Sequence, residues 1–192
     1  MTSALPLSGD ADADAFVERD ALAVLIGLVL DQQQPIERAF KAPWDLSERL
    51  GHPGVLTAQE IASMAPAALA AVFGIVPALH RFPNSMAQRT QQLCQHLVAT
   101  CDGDGRSLWR DAPDAATVLQ RAKRLPGFGD HKARVLIAVL GKRLGIQLPG
   151  WREACSPLGD PGTLLSIADI DSHARLVAYR EVKKARKRTS ST

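Results

Sequence analysis

Between positions 125 and 132 the chain reads Leu-Pro-Gly-Phe-Gly-Asp-His-Lys. Pro126 has no N–H to donate and biases Leu125 away from helical geometry. Gly127 and Gly129 can take φ > 0, where other residues are strained. Asp130 stands where an N-cap belongs, its carboxylate able to accept the first N–H groups of a helix. Beyond it Ala133, Leu136, Ile137, Leu140 and Leu144 recur at helical spacing, and Gly145 is a stop signal. The pattern predicts helix, tight hairpin, helix over residues 114–145. Glycines at a helix start leave backbone N–H groups uncovered. The positive end of the helix dipole adds to them, so the chemistry on offer is capture of an anion such as a phosphate.

The surrounding side chains point the same way. Arg121, Lys123, Arg124, Lys132, Arg134, Lys142 and Arg143 stand against one acid, Asp130, a local excess above the formal +3 of the whole chain. Such a concentration suggests a polyanion partner. Residues 180–188 add further bases, while the first twenty residues are acidic.

These features must be positioned by a fold, and composition favours helices. Alanine and leucine dominate, aromatics are 5%, and a hydrophobic content of 46% argues against disorder throughout. The 192 residues suffice for one core. Three cysteines, Cys94, Cys101 and Cys155, do not make a disulfide framework. No apolar run reaches membrane-spanning length, and no basic stretch leads into an apolar one at the N-terminus. A cytoplasmic monomer without a membrane partner is expected. Asp102-Gly103-Asp104-Gly105 is too short for a calcium loop, and no metal site is expected.

Leu125-Pro126-Gly127-Phe128-Gly129, followed by Lys132-Ala133, resembles the hairpin of helix-hairpin-helix DNA proteins. Placed late in an all-α chain, it is similar to the HhH-GPD superfamily of base-excision DNA glycosylases, with endonuclease III, adenine glycosylase and 3-methyladenine glycosylase II relatives. A second match is Leu30-Asp31-Gln32-Gln33, which resembles the family's Leu-Ser-x-Gln after the first long core helix. The resemblance covers roughly residues 15–150. It implies a two-lobed helical fold with the hairpin between the lobes. Double-stranded DNA is the implied partner, and the implied location is the nucleoid. Gly127, Phe128, Gly129, His131, Lys132 and Arg134 would contact DNA, and Gln33 would enter the gap left by a flipped base. No cofactor is expected: the four C-terminal cysteines that hold an iron–sulfur cluster in some relatives have no counterpart after Cys155.

The resemblance also implies a carboxylate about twenty residues past the second hairpin glycine, opposing positive charge on the sugar or activating water. Here that position is Pro149. Asp171, in Ile170-Asp171-Ser172-His173, resembles the family's Val-Asp-Thr-His and is the first candidate; the alternative reading is a helix N-cap. Asp31, beside Gln33, is the second candidate, and Asp160 is a third. The family's lysine nucleophile would fall on His131, with Lys132 one step further round the helix, so monofunctional hydrolysis is expected rather than lyase chemistry. The alternative is a non-catalytic DNA- or lesion-binding protein that has lost the family aspartate.

The remaining punctuation predicts a disordered segment 1–13, a helical domain 14–180 and a basic tail 181–192. One helix is expected over 14–30, a short one over 35–40, and a break at Pro43-Trp44. Thr57-Ala58-Gln59-Glu60 is a capping box, Pro66 opens a helix, a longer one spans 86–100, and Pro113-Asp114 caps the helix before the hairpin. Trp44, Trp109 and Trp151 suit either a base pocket or the core.

Overall fold

The structure is a computed structural model describing residues 5–189. Among these residues it is all-helical, without a strand. Helix α1 is Ala11–Arg19, α2 Ala21–Leu30, α3 Ile36–Arg49, α4 Ala58–Ser63 and α5 Pro66–Gly74. Helix α6 is Pro83–Cys101, α7 Ala115–Lys123, α8 Asp130–Lys142, α9 Trp151–Ala154 and α10 His173–Thr189, with short 3-10 turns at Gly105–Leu108 and Ile167–Asp169. Residues 1–4 and 190–192, at the edges of the expected disordered segment and basic tail, lie outside the described residues.

Helix α2 is the centre. Every residue from Leu22 to Leu30 is buried, and the helix packs against α1, α3, α6 and α8. Each such Leu, Ile or Val contributes roughly 1.5–3 kcal/mol by leaving water. Gly27 sets the approach of α3: a Cβ there would lie 2.7 Å from the Phe40 ring. Helices α4 and α5 pack on α6, while α7, α8 and α9 pack on one another. A single cluster of buried side chains runs from Leu5 to Tyr179 and joins both groups through α2.

Several expectations are corrected. From residue 5 onward the N-terminal segment is ordered. Leu5 and Leu7 are buried, Asp10 caps α1, and the buried Asp14 carboxylate accepts from the Leu7 and Ser8 N–H groups and the Ser8 hydroxyl. The helix expected over 14–30 is two helices. Asp20 is extended between them, and its carboxylate caps α2 at Ala23, because an aspartate offers the backbone an alternative to the helical bond. Pro43 does not break α3, which carries it buried inside a fourteen-residue helix whose apolar side faces the core. Asp130 is not an N-cap. Gly129 holds that position, and the Asp130 carboxylate turns to Lys123 at 2.5 Å and Arg134 at 2.7 Å. The starts at Thr57, Pro66 and Asp114 are as expected.

Candidate nucleic-acid interface

The turn between α7 and α8 follows from its residues. The Phe128 N–H donates to the Leu125 carbonyl at 3.0 Å, with Pro126 and Gly127 between them. Gly127 has φ of 81°, as a turn with proline first and glycine second requires. Leu125 and Phe128 are buried, whereas Gly127, Gly129 and His131 are exposed. The Phe128 side chain therefore anchors the turn in the core. Gly129 has no side-chain cap above it, so the first N–H groups of α8 open at exposed residues.

The charge excess of this stretch is largely engaged within the protein. Arg121 donates to the carbonyls of Ser107 and Leu108. Lys123 and Arg134 pair with Asp130, whose carboxyl they hold below its usual range, and Arg134 also reaches the Ser156 carbonyl. Lys142 meets the buried Asp169 carboxylate at 2.6 Å. Arg124 and His131 remain exposed beside the turn.

Lys132 does something the sequence did not suggest. It is half-buried and donates to the Val29 carbonyl, at the end of α2, at 2.9 Å. Burial pushes its pKa down to about 8; Asp31 pulls the other way, and Arg89 adds to the depression. On the other side of this contact, Gly127 faces the Val29 side chain. The hairpin therefore sits on the end of α2, where residues 31–35 form a short finger.

That finger is built by side chains from three directions. Gln32 donates to the Val29 carbonyl and to the Met86 sulfur, and receives a hydrogen bond from Arg89. Gln34 donates to the Leu30 carbonyl. The Gln32 carbonyl accepts from His80 at 2.8 Å. Gln33 is exposed at the tip with φ of 54°, a left-handed conformation that costs a non-glycine residue about 1–2 kcal/mol. Asp31 keeps Oδ1 buried without a hydrogen bond; the Lys183 ammonium of α10 stands 3.6 Å from that oxygen. Beside the finger opens a hollow of about 550 Å³, lined by Gln33, Gln34, Pro35, Ile36, Arg81 and the α10 bases Arg180, Lys183 and Lys184.

The candidate carboxylates separate clearly. Asp171 is exposed, accepts from Ser172 Oγ at 3.0 Å, and lines a hollow with Lys142, Arg143 and Arg175. Ser172, not Asp171, caps α10 at Arg175. Asp160 offers its backbone carbonyl to Lys142 at the same place. Lys142 and Lys132 stand about 15 Å apart along α8 by the helical rise. Asp171 and Asp160 thus belong to the end of α8 remote from the hairpin. The Pro149 carbonyl accepts from Ala115 at the start of α7, also away from the turn. The loop 143–170 leaves α8 through α9, with Trp151 packed on Gly141, and passes back along α8 as far as Arg134, which donates to the Ser156 carbonyl. Asp31 alone of these carboxylates is brought beside Lys132.

Trp109 and Trp151 are buried, and Trp44 packs edge-on against Phe16 at 6.0 Å, so all three serve the core. Sequence reasoning missed His80, Arg89, Arg180 and Lys183 as neighbours of the finger. The last two had a signal in the basic α10 stretch; His80 and Arg89 had none, because long-range packing alone brings them there. No helix among the described residues is long and apolar enough to cross a membrane. No family model and no curated protein matches this chain.

Proposed function

We propose that this protein is a helix-hairpin-helix DNA-binding protein of base-excision repair, acting as a monofunctional DNA glycosylase of HhH-GPD type. The observation that carries this reading is the convergence of the hairpin turn, Lys132, Asp31 and Gln33 at one end of α2. The open α8 N-terminus, Arg124 and His131 suit a phosphate. The exposed, left-handed Gln33 tip suits a residue that fills a vacated base site.

In this reading Asp31, not Asp171, opposes the positive charge that develops on the sugar as the base leaves. The Lys183 ammonium stands 3.6 Å from Asp31 Oδ1, and Lys132 lies close enough to feel the Asp31 charge. Water then delivers hydroxide to C1′ and its remaining proton to the departing base. Lys132 stays a tie rather than a nucleophile: its ammonium is engaged by the Val29 carbonyl, and at pH 7 the charged form prevails over the amine at a pKa of about 8.

The second reading is a non-catalytic lesion-binding protein. It is favoured by one observation, Pro149 standing where the family resemblance puts its carboxylate. An oligonucleotide panel carrying alkylated, deaminated and oxidised bases decides between them. Base release supports the enzyme; tight binding with no release from any member supports the second reading.

A further inference from the structure

His80 lies in the loop between α5 and α6, with 1% of its surface exposed. Its two ring nitrogens make different bonds. Nδ1 faces the Phe82 N–H at 3.0 Å, and Nε2 faces the Gln32 carbonyl at 2.8 Å. A backbone N–H only donates and a carbonyl only accepts, so Nδ1 carries the lone pair and Nε2 the hydrogen. Only the neutral ring in this tautomer satisfies both bonds.

The Gln32 carbonyl and the Gln33 N–H belong to one planar peptide unit. Fixing that carbonyl fixes the plane from which Gln33 φ is measured. Turning the plane over would carry Gln33 out of its left-handed φ of 54°. Such strain persists only where the surroundings over-determine it, and His80 is the group that holds the plane.

We propose that His80 is a positioning residue for Gln33, holding the 32–33 peptide so that the Gln33 side chain is presented ready-formed to a gapped duplex. The presentation to DNA rests on the function proposed above; the hold on the peptide does not.

A consequence is sensitivity to acid. Protonation would put an Nδ1–H against the Phe82 N–H, two donors face to face. Burial lowers the His80 pKa; the Gln32 carbonyl opposes this. Arg38 from α3, Arg81 from the same loop and Lys132 from α8 add to the lowering. The Phe82 bond therefore survives through neutral pH and is lost only below the ordinary histidine range, while Nε2–H keeps its bond to the Gln32 carbonyl.

Two substitutions separate the two bonds. His80→Gln keeps an amide donor within reach of the Gln32 carbonyl and loses the acceptor for Phe82. His80→Asn keeps that acceptor and cannot reach Gln32. The readout in the free, full-length protein is the HN–Hα coupling and carbon shifts of Gln33, which report its φ. Wild type and His80→Gln are expected to keep the left-handed values, and His80→Asn to lose them. Equal behaviour of the two variants, or a left-handed Gln33 in His80→Asn, would overturn the proposal. A second arm compares affinity for abasic and intact duplex. His80→Asn should lose about tenfold of any abasic preference, the scale of one hydrogen-bonding side chain, while intact-duplex affinity holds. A wild type with no abasic preference, but with Gln33 following His80 as described, would sink the DNA role of Gln33 and leave the positioning role standing.

Discussion

The Lys132 ammonium donates to the Val29 carbonyl at 2.9 Å, joining the first turn of α8 to the last turn of α2 across 103 positions of sequence. A cation at a helix C-terminus satisfies an orphan carbonyl and complements the dipole. It also fixes where the hairpin sits relative to Asp31 and Gln33. The hairpin and the finger are therefore one structural unit, although the sequence presents them as separate motifs.

This tie should show in the pH dependence of stability. The Lys132 pKa in the folded state is depressed to about 8, below the ordinary lysine value. The folded protein therefore sheds this proton at lower pH than the unfolded chain. Stability from this group rises as pH climbs from about 8 toward 10.4. Lys132→Met, which neither ionises nor donates, should flatten that rise in thermal melts. An unchanged slope would remove Lys132 from this role.

The hairpin glycines are not equivalent. Gly127 has φ of 81°, where alanine costs about 1–2 kcal/mol; Gly129 has φ of −103° and open space around a would-be Cβ. Gly127→Ala should weaken duplex binding at every sequence, and Gly129→Ala should bind nearly as wild type. Equal losses in filter-binding or anisotropy titrations would argue that bulk at the turn, rather than its backbone conformation, controls contact.

How much of this was legible in the sequence differs by feature. The turn at 125–128 was readable because Pro126 and Gly127 act locally, and the caps at Thr57 and Asp114 show in the chain itself. The engagement of Arg121, Lys123, Arg134 and Lys142 was not readable: a count of charges does not reveal that carbonyls and carboxylates from distant segments already meet them. Asp171 misled for the same reason. Its neighbours in sequence look like an aspartate helix start, but the path of residues 143–170 places it at the wrong end of α8.

That division among the bases has a measurable form. Each phosphate contact removed should lower the slope of log affinity against log salt by about one. Arg124→Ala should do so with little change in melting temperature. Lys142→Ala should leave the slope intact and destabilise the fold by about 2 kcal/mol, because it removes the cation paired with the buried Asp169 carboxylate, which keeps its bonds from Thr163, Leu165 and Ser166. A reduced salt slope in Lys142→Ala would contradict its assignment to the fold.

Lyase chemistry is not expected from Lys132. Borohydride treatment of the protein with abasic duplex should give no covalent adduct at this residue. An adduct seen in wild type and missing in Lys132→Ala would replace the monofunctional assignment with Schiff-base chemistry.

The most direct test of the whole account is single-turnover base release on the damaged-oligonucleotide panel, comparing wild type with Asp31→Asn and Asp171→Asn. Asparagine keeps the size of aspartate and removes its charge. The account predicts release by wild type, a loss of about a hundredfold or more in Asp31→Asn with duplex binding retained, and near-wild-type release in Asp171→Asn. Full activity in Asp31→Asn, or its collapse in Asp171→Asn alone, would contradict the placement of the site at the end of α2.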